Sequence, residues 1–246
     1  MFFENIFKIG FIADLYDRDT RKMEIEDERL LPELLDKYGK IVVVDLGCGT
    51  GREFPLLLKS PNVVKIIGID FSYPMLRIAK DKWASDDRIE LLDDDIRSLK
   101  KFKRNKIKNK CVFLLLCNTL GNLKETDRKK AVQRIFEKMI PGDVFIAYLR
   151  KPKGKGRIWQ DRVSIQVEAI EYLLINGLWK VAWDILGKHP NFYYDSKRRD
   201  VVVKAGGEEL FISHRFTEDE IRELFSKFKT KIIPGKSFWI VVAEKK

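Results

Sequence analysis

The sequence predicts an α/β protein: a doubly wound, mostly parallel sheet with a helical plus β-hairpin insertion after the fifth strand. Three observations predict it. Five apolar or β-branched runs recur between residues 41 and 150. Stretches with helical spacing separate them, so successive strands need crossover connections and lie parallel. After residue 150 the alternation breaks and a Trp-rich stretch with a hairpin pattern follows. The 246 residues suffice for one well-buried domain, 1–246, with room for that insertion.

The elements follow in order. Residues 1–38 read as a helical N-terminal lid, stopped by Gly39. "IVVVDLG" is a buried strand by its β-branched run, and "REFPLLLKS" a helix. "VVKIIGID" (63–70) is the second strand. "SYPMLRIAKDKWA" is a helix with Pro74 in its first turn, where the missing N–H does no harm. "RIELLDDD" (88–95) and "KCVFLLLCN" (110–118) are the third and fourth strands. "ETDRKKAVQRIFEKMI" is an amphipathic helix closed by "PGD", and "DVFIAYLR" (143–150) the fifth strand. The insertion, 158–215, combines a helical stretch with an antiparallel hairpin or meander turning at "DSKRR". "TEDEIRELFSKF" opens on a capping box, Thr217 with Glu220. Two strands close the chain.

Composition narrows the function classes. Apolar residues make up 45% and charged residues 35%, which describes a globular chain rather than a disordered one. The apolar run "CVFLLLC" is too short to span a bilayer, and nothing resembles a signal peptide. Three cysteines and two histidines supply neither a disulfide framework nor a metal cluster, so no metal is expected and a reducing cytoplasm fits. Abundant Lys, Glu, Ile and Val give a thermophile-like composition. The net charge of +11 is concentrated in two acid-free runs, 100–110 with seven basic residues and 150–157 with five. Ligands of doubly wound sheets bind at the carboxyl ends of the strands. The 150–157 run follows strand five and belongs on that face; the 100–110 run precedes strand four and belongs at the opposite edge.

"VVVDLGCGTGR" (42–52) carries the chemistry. A strand leads into an acid and a glycine turn, where bare backbone and helix N–H groups let a nucleotide-type ligand approach. Gly47, Gly49 and Gly51 alternate with other residues, unlike the G-x-G-x-x-G of dinucleotide enzymes. Asp70 follows Gly51 by nineteen residues, a spacing a nicotinamide enzyme also wants.

The acid-x-G-x-G-x-G pattern resembles the first motif of the class I S-adenosylmethionine-dependent methyltransferases, over about residues 40–150 and the last 30. The resemblance implies a seven-stranded Rossmann-like sheet with an antiparallel last strand, and S-adenosylmethionine as cofactor. It places Asp45 near the cofactor's amino group, Asp70 in "IGIDFS" on the ribose hydroxyls, and Asp95 with the Ile96 N–H at the adenine, Asp94 beside them. "CNTLGNL" would line the methionine end through Cys117 and Asn118. Tyr16 matches a lid tyrosine of small-molecule members, or is an ordinary amphipathic-helix residue. The implied cofactor site is Tyr16, Asp45, Gly47, Cys48, Gly49, Gly51, Asp70, Phe71, Met75, Asp94, Asp95, Ile96, Cys117 and Asn118.

No catalytic residue is evident, and methyl transfer from a sulfonium need not have one, because alignment and desolvation supply most of the acceleration. Cys117 stands near where pyrimidine-C5 methyltransferases carry a nucleophile, but Leu116 precedes it instead of Pro or Thr, and a packed strand cysteine is the better reading. Asn118 lacks the Pro-Pro-aromatic continuation of exocyclic-amine nucleic-acid enzymes. Tyr148, Arg150, Trp159 and His214 are substrate candidates, His214 doubling as a packed or capping residue. The expected activity is in-line methyl transfer to a small molecule. The alternatives are an RNA or ribosomal-component methyltransferase using 100–110 and 150–157, and a cofactor-binding scaffold. No membrane partner is expected.

Overall fold

The computed structural model describes residues 13–14, 16–18, 30–152, 191–205 and 208–245. Most of the proposed lid and the stretch 153–190, with Trp159 and most of the 150–157 run, lie outside them.

Ten strands and five α-helices are described. The strands are β1 Ile41–Leu46, β2 Val63–Asp70, β3 Ile89–Asp93, β4 Lys110–Leu115, β5 Val144–Arg150, β6 Asn191–Asp195, β7 Asp200–Ala205, β8 Glu208–His214, β9 Phe228–Pro234 and β10 Phe238–Lys245. The helices are α1 Leu31–Asp36, α2 Phe54–Leu57, α3 Tyr73–Trp83, α4 Glu125–Lys138 and α5 Glu218–Leu224. Seven strands form one sheet in the order β3-β2-β1-β4-β5-β10-β9. β10 runs antiparallel to both its neighbours, and the β1, β2, β3, β4 and β5 pairings are parallel. The expected antiparallel last strand is therefore present, inserted between β5 and β9. β6, β7 and β8 make a separate antiparallel meander, turning at 196–199 within the predicted "DSKRR".

The strand runs were legible because the central strands are covered on both faces. All six residues of β1 are buried. Val42, Val44 and Leu46 join one core with Phe113, Phe145, Ala131 and Ile135; Ile41 and Val43 join the other with Leu31, Leu35, Phe54 and Val112. Strand order reverses between β1 and β4, which opens a crevice at their carboxyl ends. Capping chemistry places the helices behind it. The Ser72 side chain accepts from Met75 N–H at 3.3 Å to start α3, with Pro74 in its first turn. Thr217 and Glu220 form the predicted reciprocal capping box of α5. Among the described residues no helix is long and apolar enough to cross a membrane.

Candidate functional site

The glycine loop runs from the end of β1 to α2 and is pinned to β2. Gly47 and Cys48 N–H groups donate to the Ile69 carbonyl at 2.7 and 3.1 Å. All three glycines have positive φ: 77°, 54° and 72° for Gly47, Gly49 and Gly51. They differ in what surrounds them. A Cβ on Gly47 would stand 2.6 Å from Thr119 Cγ2, and one on Gly51 2.7 Å from both Phe54 Cε2 and Trp83 Nε1. These two glycines answer to protein packing rather than to ligand approach, correcting the simpler reading of the motif. On Gly49 the nearest atom is Tyr16 Cε1 at 3.7 Å, an ordinary contact. Tyr16 therefore stands over the one glycine of the three whose missing side chain leaves room. An Asp17–Lys82 ion pair ties its helical turn to α3.

Asp70 ends β2, 7% exposed. Its Oδ2 accepts from Gly49 N–H and its Oδ1 from Ser72 N–H, each at 2.8 Å. Burial raises its pKa to about 6; the Ser72, Gly49 and Phe71 N–H groups pull it down, and Asp93 pushes it up further. A buried carboxylate with lone pairs left over can accept from vicinal hydroxyls. Asp45 is also buried, below the loop. Phe71 is half-buried and Met75 fully buried in the first turn of α3.

The acids after β3 divide. Asp94 is caged by backbone: Oδ1 accepts from Asp95 and Lys100 N–H at 2.9 and 3.1 Å, and Oδ2 from Lys101 and Phe102 N–H at 2.7 and 3.1 Å. It holds the 94–102 turn, and its carboxylate is no ligand acceptor. Asp95 is partly exposed and held by Arg97, whose Nε lies 2.9 and 3.0 Å from its two oxygens. The Ile96 side chain lies in the core, so only its main chain is available to a ligand.

Several further expectations are corrected. The Cys48 side chain belongs to the core; burial, then Asp70, Asp45 and Glu53, push its thiol well above the usual range. The Asn118 amide is wholly engaged with Arg150 N–H, Ser213 Oγ and the His214 carbonyl. Tyr148 is fully buried beside Phe238, ring centroids 6.2 Å apart. Arg150 lays its guanidinium over the Phe238 ring at 5.1 Å. His214 is 3% exposed, with Nδ1 2.7 Å from Asp200 Oδ1 and Nε2 3.1 Å from Glu220 Oε1. That makes it a joint between the meander and α5, not a substrate group. The thiol of Cys117 is half-buried, 2.6 Å from Arg52 Nη2 and 3.3 Å from Glu53 Oε1. The Arg52–Glu53 pair was missed, although "GRE" directly continues the glycine motif. Thr119 and Ser213 were missed too, and no local signal marks them.

A cavity of about 350 Å³ between α4 and α5, lined by Arg128, Val132, Phe136, Phe216 and Phe228, includes none of the glycine-loop residues and is not this site.

Residues 43–142 match the model of a family described as a methyltransferase domain. No curated protein sequence matches the chain. Among solved structures, a Pyrococcus horikoshii protein is 20% identical with a TM-score of 0.61, covering 93% of this chain and 94% of its own. The Burkholderia thailandensis 1,6-didemethyltoxoflavin-N1-methyltransferase is 16% identical with a TM-score of 0.58, covering 98% and 88%. Streptomyces venezuelae DesVI is 16% identical with a TM-score of 0.60, covering 95% and 98%. The matched segment spans the glycine loop, Asp70 and Asp95, and the sheet order is that of the Rossmann-like fold, so the chain carries a methyltransferase domain of that fold.

Proposed function

We propose that this enzyme transfers the methyl group of S-adenosylmethionine to a small-molecule acceptor by in-line displacement. The observation that carries the reading is the Gly49–Asp70–Tyr16 arrangement: a buried carboxylate bonded to the loop, an open glycine above it, and an aromatic ring over the glycine. In this reading Asp70 accepts from the ribose hydroxyls. Asp95 and the Ile96 N–H meet the adenine, and Gly49 gives close approach to the backbone. When bound, the cofactor supplies an activated methyl group. The protein's share is to align the acceptor and exclude water.

Two features favour a small acceptor over RNA. The basic run 100–110 has no exposed stacking ring, because Phe102 is 1% exposed and packs edge-on against Phe113. Its Arg104 is turned inward onto Asp143. The Burkholderia neighbour is described as a 1,6-didemethyltoxoflavin-N1-methyltransferase with bound 1,6-didemethyltoxoflavin and S-adenosylhomocysteine, which agrees with this choice.

The test is calorimetry with S-adenosylhomocysteine, followed by labelled-methyl transfer into separate metabolite and RNA pools. Binding with label in the metabolite pool is expected. Tighter binding of NAD, or label only in RNA, would overturn the reading.

A further inference from the structure

Cys117 and Asn118 have φ of 51° and 62°. Side chains disfavour this left-handed region, which asparagine enters more readily than most. Two such residues in succession need surroundings that hold them there. For Asn118 these surroundings are complete. It is 1% exposed. Its Oδ1 accepts from Arg150 N–H at 2.9 Å, at the end of β5. Its Nδ2 donates to Ser213 Oγ and to the His214 carbonyl, both at 3.1 Å and both in β8. Its main-chain N–H donates to the Tyr148 carbonyl at 3.2 Å. Gly121 makes the space: a Cβ there would stand 2.3 Å from Nδ2.

The residues on either side of Asn118 touch the glycine loop. Cys117 meets Arg52 and Glu53, and Thr119 fills the place a side chain on Gly47 would take. The geometry points to Asn118 as a positioning residue: through Cys117 and Thr119 it sets the glycine loop of the cofactor site according to where the β6–β8 meander sits. This rests on the reading of that loop as the cofactor site. Asn118 acts through its neighbours, since both amide hydrogens are taken by β8 and Oδ1 by the end of β5. The same contact makes the meander, which precedes α5 in the chain, a structural neighbour of the cofactor loop.

Three variants separate positioning from mere stability. Asn118→Gly keeps the left-handed backbone accessible and removes every side-chain bond. Gly121→Ala leaves Asn118 in place and evicts its amide. Ser213→Ala removes one acceptor from the meander side. Affinity for S-adenosylhomocysteine is measured by calorimetry on the full chain, alongside Tm. Losing two to three neutral hydrogen bonds predicts that Asn118→Gly and Gly121→Ala each weaken binding by about tenfold, and Ser213→Ala by about threefold. Asn118→Gly combined with Ser213→Ala should bind no worse than Asn118→Gly alone, because both changes break one connection. Variants that bind like wild type while Tm falls would show a purely structural asparagine and overturn the proposal alone. Wild-type protein that binds no S-adenosylhomocysteine would overturn the cofactor reading, and this proposal with it.

Discussion

Asp70 is asked to be both buried and ionised. With its pKa near 6 against an ordinary 3.8, the folded chain holds a proton that the unfolded chain has released between those values. Stability is therefore greatest below about pH 4 as far as this group is concerned, and is lost as pH rises through 6. The cost above that is about 3 kcal/mol, since one pKa unit is worth about 1.4 kcal/mol. A ligand that donates hydroxyl hydrogen bonds to the ionised form offsets part of that cost. Cofactor affinity should consequently be flat from pH 7 to 8 and fall as pH drops below 6, by at most about tenfold per pH unit because one proton is involved. Asp70→Asn should bind about tenfold to a hundredfold more weakly at pH 8, the loss of a charge-assisted acceptor, and show no such decline. Calorimetry across pH on both proteins decides; wild-type affinity that improves on acidification, or a decline that persists in Asp70→Asn, removes Asp70 from the ribose role.

Elements reveal which charges were legible. The turn between β3 and β4 contains the basic run, and its 3₁₀ turn, Arg104–Lys106, looks uniform in sequence. In the structure Arg104 is 6% exposed and forms a two-bond pair with Asp143, at 2.7 Å for each bond, while donating to the Ile107 carbonyl at 2.6 Å. Asp143 also accepts from Cys111 N–H at 2.9 Å, so this pair anchors the start of β4 to the start of β5. Arg104→Gln leaves the buried Asp143 carboxylate without its cation and should cost about 3–5 kcal/mol in urea unfolding. Gln at the exposed Lys101, Lys103 or Lys106 should stay within about 0.5 kcal/mol. A mild Arg104→Gln variant would refute the anchor. Strands were readable because burial on both faces leaves an apolar run, and α5 because a capping box is local in sequence. The carboxylates were not. Three of the four donors that cage Asp94 sit six to eight residues downstream, and Asp143 lies 39 residues from Arg104; only the folded turn brings each set together. Asn118 misled for the same reason: its partners Ser213 and His214 lie 95 and 96 residues away.

On the scale of the molecule, the basic run crosses the sheet rather than lying wholly at its far edge as expected: Lys101 Nζ is 3.4 Å from Asp93 Oδ2, level with Asp70 on the crevice side, and Arg104 meets Asp143 at the start of β5. The basic run enters β4 at Lys110, level with the start of β1, and the crevice opens at the opposite ends of both strands. Six residues of β4 span about 20 Å at roughly 3.3 Å each. That is about two Debye lengths at 0.1 M salt, so the lysines at the β4 end of the run, Lys106 and Lys108, exert little field on a small acceptor. Replacing Lys106 and Lys108 together with Gln, and sparing Arg104, should leave S-adenosylhomocysteine affinity and transfer to the metabolite pool within about twofold of wild type, a difference near 0.4 kcal/mol. An RNA substrate long enough to reach from the crevice to this edge would behave otherwise. Each phosphate contact contributes roughly 0.7–0.9 to the fall of log affinity with log salt, so two lost contacts should flatten the slope by about one and a half. Residual RNA binding to the wild-type protein is expected to be non-specific and to collapse near about 0.2 M salt, because Phe102 is buried and offers no stacking surface. Saturable RNA binding that survives that salt, with a slope that flattens in the double variant, would move the acceptor from a small molecule to RNA and make the far edge of the sheet part of its footprint.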